Sequence, residues 1–315
     1  MNTARRATVL RAAELYYTEH LTMEAIAQEL GCSRATVSRL VGEARTAGLV
    51  EITVHRSGRA ASTLERLIAD RYGVEATVIA PPERATEGER LLHVATQAAA
   101  KLRLTLSPDT TIAVTWGITI ATLARNLTPG MVPGLQVVQM SGSGNTFSSG
   151  AEYASGVFDR FGAVLGARVH HFPVPAFFDS AATRAALWAE HSVQRILRLQ
   201  QRADVALFSV GALGGGIPGH LYRAGYLDRD DLRSLTEQGV VGDLGTVFLH
   251  ATGSSTDIAM NQRSSGLPIE TLCRIPRRLC VALGEAKAPV LRAALLAGAV
   301  TELIVDTKAA EPLVD

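Results

Sequence analysis

The 315-residue chain carries 31 basic and 30 acidic side chains for a formal charge of +1, so any affinity for nucleic acid has to come from a local motif. Hydrophobic residues make up 47% and charged residues 19%, which supports a sizeable core and excludes general disorder. Three cysteines without metal-ligand spacing (Cys32, Cys273, Cys280), no secretory leader and no apolar run of about 18 residues predict a soluble cytoplasmic protein that uses no membrane.

The first 57 residues are dominated by helical periodicity. A helix is expected over 7–18, followed by the stretch Thr22-Met-Glu-Ala-Ile-Ala-Gln-Glu-Leu-Gly-Cys-Ser-Arg-Ala-Thr-Val-Ser-Arg-Leu-Val41. Thr22 suits an N-cap, and Ile26, Ala27 and Leu30 share one face of a short helix. Gly31 suits a helix end in the left-handed conformation, and Ser33 can cap a second helix that turns Val37, Leu40 and Val41 inward. Ala27, Gly31 and Val37 have the spacing of a helix-turn-helix, with a small residue at the crossing, a glycine at the turn and an apolar anchor. Ser33, Arg34, Thr36, Ser38 and Arg39 face outward on the second helix, where hydroxyls and guanidinium groups reach phosphates and base edges of DNA. Residues 1–59 hold eight Arg, no Lys and six Glu, a net +2. So weak a positive charge implies that an oligomer gathers the phosphate contacts. The strand-like run at 49–54 completes a winged-helix pattern.

Residues 56–59 read as a linker and 61–72 as a connecting helix, with the second domain spanning 58–315. Strands are expected at 75–80, 111–116, 136–141, 167–173, 205–210, 246–250, 279–283 and 302–306. Helices are expected at 87–104, 118–127, 150–165, 181–202, 228–238 and 286–297. Several strands are continuous apolar runs, as buried parallel strands are, and their alternation with helices predicts a doubly wound α/β domain.

In such folds ligands bind at the carboxyl ends of the strands, where helix N-termini offer free N–H groups. Gly117 and Thr119 follow one strand, and Ser141, Gly142, Gly144 and Asn145 form a polar turn after another. Gly211 opens a glycine-rich turn. Lys287 is the one lysine of three placed at a strand-to-helix junction, where an ammonium group can hold a phosphate. Asp243 suits a sugar hydroxyl. His170 and His171 alternate across a strand and read as local structure, and Asp228, Asp230 and Asp231 as a favourable helix start. No phosphate loop, zinc-protease or nucleophile-elbow motif is present, and no cofactor or metal is expected.

The N-terminal stretch Leu15–Met23, Trp116-Gly-Ile-Thr-Ile120, Ala203–Gly211, Val241-Gly-Asp243, Ala282–Lys287 and Leu303–Ala309 together resemble the SorC/DeoR-type family of bacterial sugar-responsive regulators. The resemblance implies a winged helix-turn-helix joined to an effector domain similar to sugar-phosphate isomerases and deaminases. It further implies a homo-oligomer, dimeric or tetrameric, that binds operator DNA near carbohydrate or polyol genes as a repressor and is released by a phosphosugar. Gly117, Thr119 and Lys287 would hold the phosphate and Asp243 the sugar. Ile118, Ser209, Leu283 and His250 depart from the family pattern, so a free sugar or polyol stands beside a sugar phosphate as effector. The other reading is an isomerase- or deaminase-like enzyme with a fused N-terminal module.

Overall fold

The computed structural model describes residues 3–19, 21–50, 59–146, 151–214 and 219–315. The chain divides into two compact units, Met1–Arg56 and Ser57–Asp315.

Among the described residues the first unit contains three helices, α1 (Thr3–Tyr17), α2 (Met23–Glu29) and α3 (Arg34–Thr46). The Thr22 hydroxyl accepts from the Ala25 amide at 3.2 Å and that of Ser33 from the Thr36 amide at 3.1 Å, each pairing an N–H that the helix start leaves free. Gly31 sits at φ +61°, a conformation that glycine adopts without a Cβ clash, and reverses the chain between α2 and α3. Val37, Leu40, Val41 and Ala44 follow the i, i+3, i+4, i+7 pattern and are buried with Val9, Leu15 and Ile26. Of the strand expected at 49–54, residues 51–54 lie outside the described residues, as do 56–58 of the linker.

In the second unit, α4 (Arg59–Tyr72) leads into β1 (Glu75–Ile79), α5 (Glu87–Thr105), β2 (Thr111–Val114), α6 (Ile118–Arg125), β3 (Gln136–Gln139), α7 (Ala151–Leu165) and β4 (Arg168–His170). Then come α8 (Ala181–Trp188), α9 (His191–Gln201), β5 (Val205–Phe208), β6 (Val210–Ala212), α10 (His220–Arg223), α11 (Arg229–Glu237), β7 (Val240–Leu244) and β8 (Val247–His250). The chain ends with α12 (Ile269–Leu272), β9 (Arg277–Ala282), α13 (Ala288–Leu296), β10 (Glu302–Asp306) and α14 (Thr307–Val314).

Seven strands form one parallel sheet in the order β1-β10-β9-β5-β2-β3-β4. Alternate residues feed two cores: Ala113, Val138, Ala206 and Cys280 pack with α4, α9, α13 and α14, while Ile112, Val137, Val205 and Leu279 pack with α5, α6 and α7. Burial on both faces explains the continuous apolar runs of the sequence. The sheet is a doubly wound α/β layer, as expected.

Three expectations need correction. The run 205–210 is not one strand: the chain bends at Ser209, and β6 joins β7 and β8 in a separate antiparallel sheet of three strands. The strand expected at 246–250 therefore lies outside the parallel sheet. The helix expected over 181–202 is two, because the Trp188 ring is held 5.6 Å from Phe172 and 5.5 Å from Phe178 while Gln194 Nε2 donates to the Trp188 carbonyl at 2.6 Å. Those contacts end α8 and let Glu190 start α9 from an extended conformation.

Candidate functional site

Four strand ends converge where the sheet reverses direction. From β2 the chain runs through β3 and β4 to one edge, and from β5 through β9 and β10 toward the other. The neighbouring ends of β2 and β5 are thus the switch point at which open α/β sheets bind ligands. Thr115 and Gly117 follow β2, Ser141 follows β3, Ser209 follows β5, and Leu283 and Lys287 follow β9. All line a cavity of about 200 Å³ that also takes in Thr119, Gly211 and Asp243.

Gly117 stands at φ +138° as the N-cap of α6, so the chain can turn sharply and leave the first amides of that helix unpaired by any cap side chain. Lys287 is partly buried, and its Nζ donates to Ser209 Oγ at 3.3 Å. Among the described residues no carboxylate lies within ion-pair distance of it. Burial lowers the affinity of this ammonium for its proton, an effect opposed by Cys280, Asp243, Glu87 and Asp306. The arrangement offers one cation and one helix N-terminus to an anionic group.

Asp243 is buried on β7, with Gly211 opposite it on β6. A Cβ at Gly211 would collide with the Asp243 carboxylate, so glycine is what lets the acid lie across the strand pair. Asp243 Oδ1 accepts from the Tyr222 hydroxyl at 2.8 Å and Oδ2 from the Thr246 amide at 3.0 Å. Thr246 has φ +74°, rare for a β-branched residue, and follows Gly245 at φ +55° in the hairpin turn between β7 and β8. Its hydroxyl lies 3.0 Å from Ser264 Oγ, which anchors the turn with its amide toward Asp243. Burial raises the Asp243 carboxyl to about 6, against the pull of Tyr222, the Thr246 amide and the Lys287 charge. Burial, then Asp243, pushes the Tyr222 phenol well above its ordinary value, so it remains a donor. Burial lowers the affinity of the His220 ring for a proton.

Two further hydroxyls stand out. Thr115 Oγ1 and Ser141 Oγ are buried, in residues only 2% and 1% exposed, and neither has a hydrogen-bond partner among the described residues. A buried hydroxyl left unpaired costs about 1–3 kcal/mol, which a ligand hydroxyl in the cavity would offset.

Six of the nine residues expected to bind an effector line this cavity: Gly117, Thr119, Ser141, Gly211, Asp243 and Lys287. Gly142, Gly144 and Asn145 do not. A Cβ on Gly142 would strike the Val174 and Pro175 carbonyls, and its own carbonyl accepts from Trp116 Nε1 at 3.0 Å. Gly144 bridges to Pro175, and Asn145 Nδ2 donates to the Ala224 carbonyl at 2.9 Å. Gly142, Gly144 and Asn145 thus make packing and backbone contacts, while Ser141 of the same turn lines the cavity. Asp204, at the opposite end of the sheet, accepts from the Thr111 amide at 2.8 Å. Thr115 was within reach of the sequence reading, two residues before Gly117, and Ser209 entered it only as a departure from the family pattern. His220 and Tyr222 carried no such signal, because their helix is four residues long.

In the first unit Ser33, Arg34, Ser38 and Arg39 are exposed and Thr36 is half-buried. Ser33 is occupied as the cap of α3, and its hydroxyl lies 2.9 Å from that of Thr36. Arg34 Nε pairs with Glu24 at 2.8 Å, an exposed contact that water or phosphate can replace readily.

Residues 59–315 match the sugar-binding domain family. The deoxyribonucleoside regulator of Bacillus subtilis (strain 168) is 29% identical over 317 residues, covering 100% of this chain and 99% of that protein. The chain belongs to the SorC/DeoR-type family of sugar-binding transcriptional regulators. The sorbitol operon regulator of Klebsiella pneumoniae is 26% identical, covering 97% of this chain and 96% of that protein. The crystal structure of full-length SorC from Klebsiella pneumoniae superposes with a TM-score of 0.83, at 24% identity and 100% coverage of both chains. A domain of a "possible sugar-binding transcriptional regulator" from Arthrobacter aurescens TC1 is 43% identical, with a TM-score of 0.76, covering 81% of this chain and 97% of that one. The sugar-binding match spans most of this regulator, and every residue of the cavity falls inside it. No helix among the described residues is long and apolar enough to cross a membrane.

Proposed function

We propose that this regulator is a repressor of carbohydrate or polyol genes whose cavity binds a sugar phosphate and whose α3 reads operator DNA. The observation that carries the effector reading is the pair of unpartnered buried hydroxyls, Thr115 and Ser141, in the cavity that holds Lys287 and Asp243. Two orphan hydroxyls and a buried acid suit a polyhydroxylated ligand, and a single lysine beside the N-terminus of α6 suits one phosphate. The relatives are named regulators of deoxyribonucleoside, sorbitol and erythritol genes, which supports a small sugar-like effector. In the first unit the exposed Arg34, Ser38 and Arg39 would face the major groove, with Ser33 and Thr36 ordering the start of the helix. A dimer or tetramer would supply the paired half-sites and gather the phosphate contacts that a net charge of +2 cannot.

The test is a thermal-shift titration with sugar phosphates, free sugars and polyols, on the wild type and Lys287→Ala. At 100 times its Kd an effector adds about 2.7 kcal/mol to stability. Stabilisation by a sugar phosphate that Lys287→Ala abolishes supports the reading. Equal stabilisation of both proteins refutes the assignment of Lys287 to the phosphate. Turnover of a sugar phosphate by the wild type would refute a purely regulatory role.

A further inference from the structure

Behind the cavity lies an ion pair that touches none of it. Asp306, at the end of β10, is fully buried, and its Oδ1 accepts from the Gly284 amide at 2.8 Å and from the Ala309 amide at 3.0 Å. Gly284, at φ +84°, starts the short turn Glu285–Lys287, and the Lys287 amide donates back to the Gly284 carbonyl at 3.1 Å. Asp306 therefore holds the base of the turn that carries the cavity's lysine. Its other oxygen, Oδ2, faces Arg90 Nε at 3.5 Å; both atoms are buried and neither completes a hydrogen bond. Arg90 belongs to α5, and residues on either side of it, Glu87, Gly88 and Leu91, form part of the cavity wall.

From this geometry we infer that Arg90 and Asp306 are a positioning pair, which locks the Lys287 turn against the first turns of α5 and so fixes the anion-binding end of the cavity. A fully buried carboxylate and a partly buried guanidinium lying just outside hydrogen-bond geometry form a contact that a small shift of α5 or of the turn completes or breaks. Removing Arg90 leaves the buried Asp306 carboxylate without this counter-charge. Glu87 is one helical turn before Arg90 on α5 and lines the same cavity as Lys287, so the wall that faces an anion bound at Lys287 includes the helix that carries Arg90. The inference rests on the assignment of Lys287 as the anion-binding group.

The test uses the full chain with inorganic phosphate as the probe, and compares wild type, Arg90→Ala, Arg90→Lys and Lys287→Ala by phosphate titration and by amide hydrogen exchange. Arg90→Ala is expected to weaken phosphate binding about tenfold, the scale on which a residue outside a site modulates it. Arg90→Lys should restore part of the affinity, and exchange of residues 284–287 should accelerate in Arg90→Ala while β2 and β3 stay protected. If Lys287→Ala loses phosphate but Arg90→Ala binds as the wild type does, the positioning role is overturned and the lysine assignment stands. If Lys287→Ala binds phosphate unchanged, the lysine assignment fails. The pair is then judged by exchange alone, with unchanged protection of 284–287 in Arg90→Ala overturning it.

Discussion

Tyr222 donates a 2.8 Å hydrogen bond to the Asp243 oxygen that only a glycine at position 211 leaves room for. One short contact thus ties a four-residue helix, two antiparallel strands and the cavity floor together. Gly211→Ala should displace the carboxylate, destabilise the domain by about 1–3 kcal/mol and abolish the response to effector. Urea unfolding and ligand titration of the same variant check both parts.

The titration of Asp243 gives a signed pH prediction. Its carboxyl is raised from an ordinary 3.8 to about 6, so between those values the folded protein holds a proton that the unfolded chain has released. The contribution of this group to stability is full below about pH 4, falls as the pH rises to 6 and is level above it, a loss of about 3 kcal/mol. Asp243→Asn removes this slope. Unfolding free energies of the wild type and the variant from pH 4 to 7.5 should therefore shift relative to each other in favour of the variant as the pH rises.

Thr115→Val and Ser141→Ala should act in opposite senses on the free and the bound protein. Each removes an unpaired buried hydroxyl and is expected to stabilise the unliganded domain by about 1 kcal/mol. Each should also weaken effector binding by roughly tenfold, through loss of a ligand hydrogen bond. Calorimetric melting with and without effector reads both signs in one experiment.

Arg39→Ala and Arg34→Ala test the first unit. Each should lower operator affinity while leaving effector stabilisation of the second unit intact. If the contact is to a phosphate, the slope of log affinity against log salt should fall by about one per arginine. Binding measured by fluorescence anisotropy at three salt concentrations separates a phosphate contact from a base contact.

Much of this was legible in the sequence because the signals were local. Thr22, Gly31 and Ser33 specify the ends of α2 and α3 through cap and turn chemistry that depends on neighbours within three residues. The buried strands announced themselves as apolar runs, and Gly117 and Lys287 lie beside strand ends that those runs define, whereas Asp243 lies within β7, a strand that no apolar run announced. What was not legible is tertiary. Nothing local distinguishes Ser141, which lines the cavity, from its neighbour Gly142, which is packed under Val174 and Pro175. Val210 reads as the last residue of a strand, yet its register with Leu244 places it in a second sheet. Tyr222 reaches Asp243 from 21 residues away, and no periodicity within its own four-residue helix marks it.

The most direct measurement is a mobility-shift assay with the DNA upstream of the regulator's own gene, run with and without a panel of sugar phosphates, sugars and polyols, on the wild type and Lys287→Ala. A specific shift that one sugar phosphate reverses in the wild type, and that persists in Lys287→Ala, is the predicted result. A shift that no sugar-like compound reverses, or one reversed equally well in both proteins, would contradict the assignment of this cavity as the phosphosugar switch.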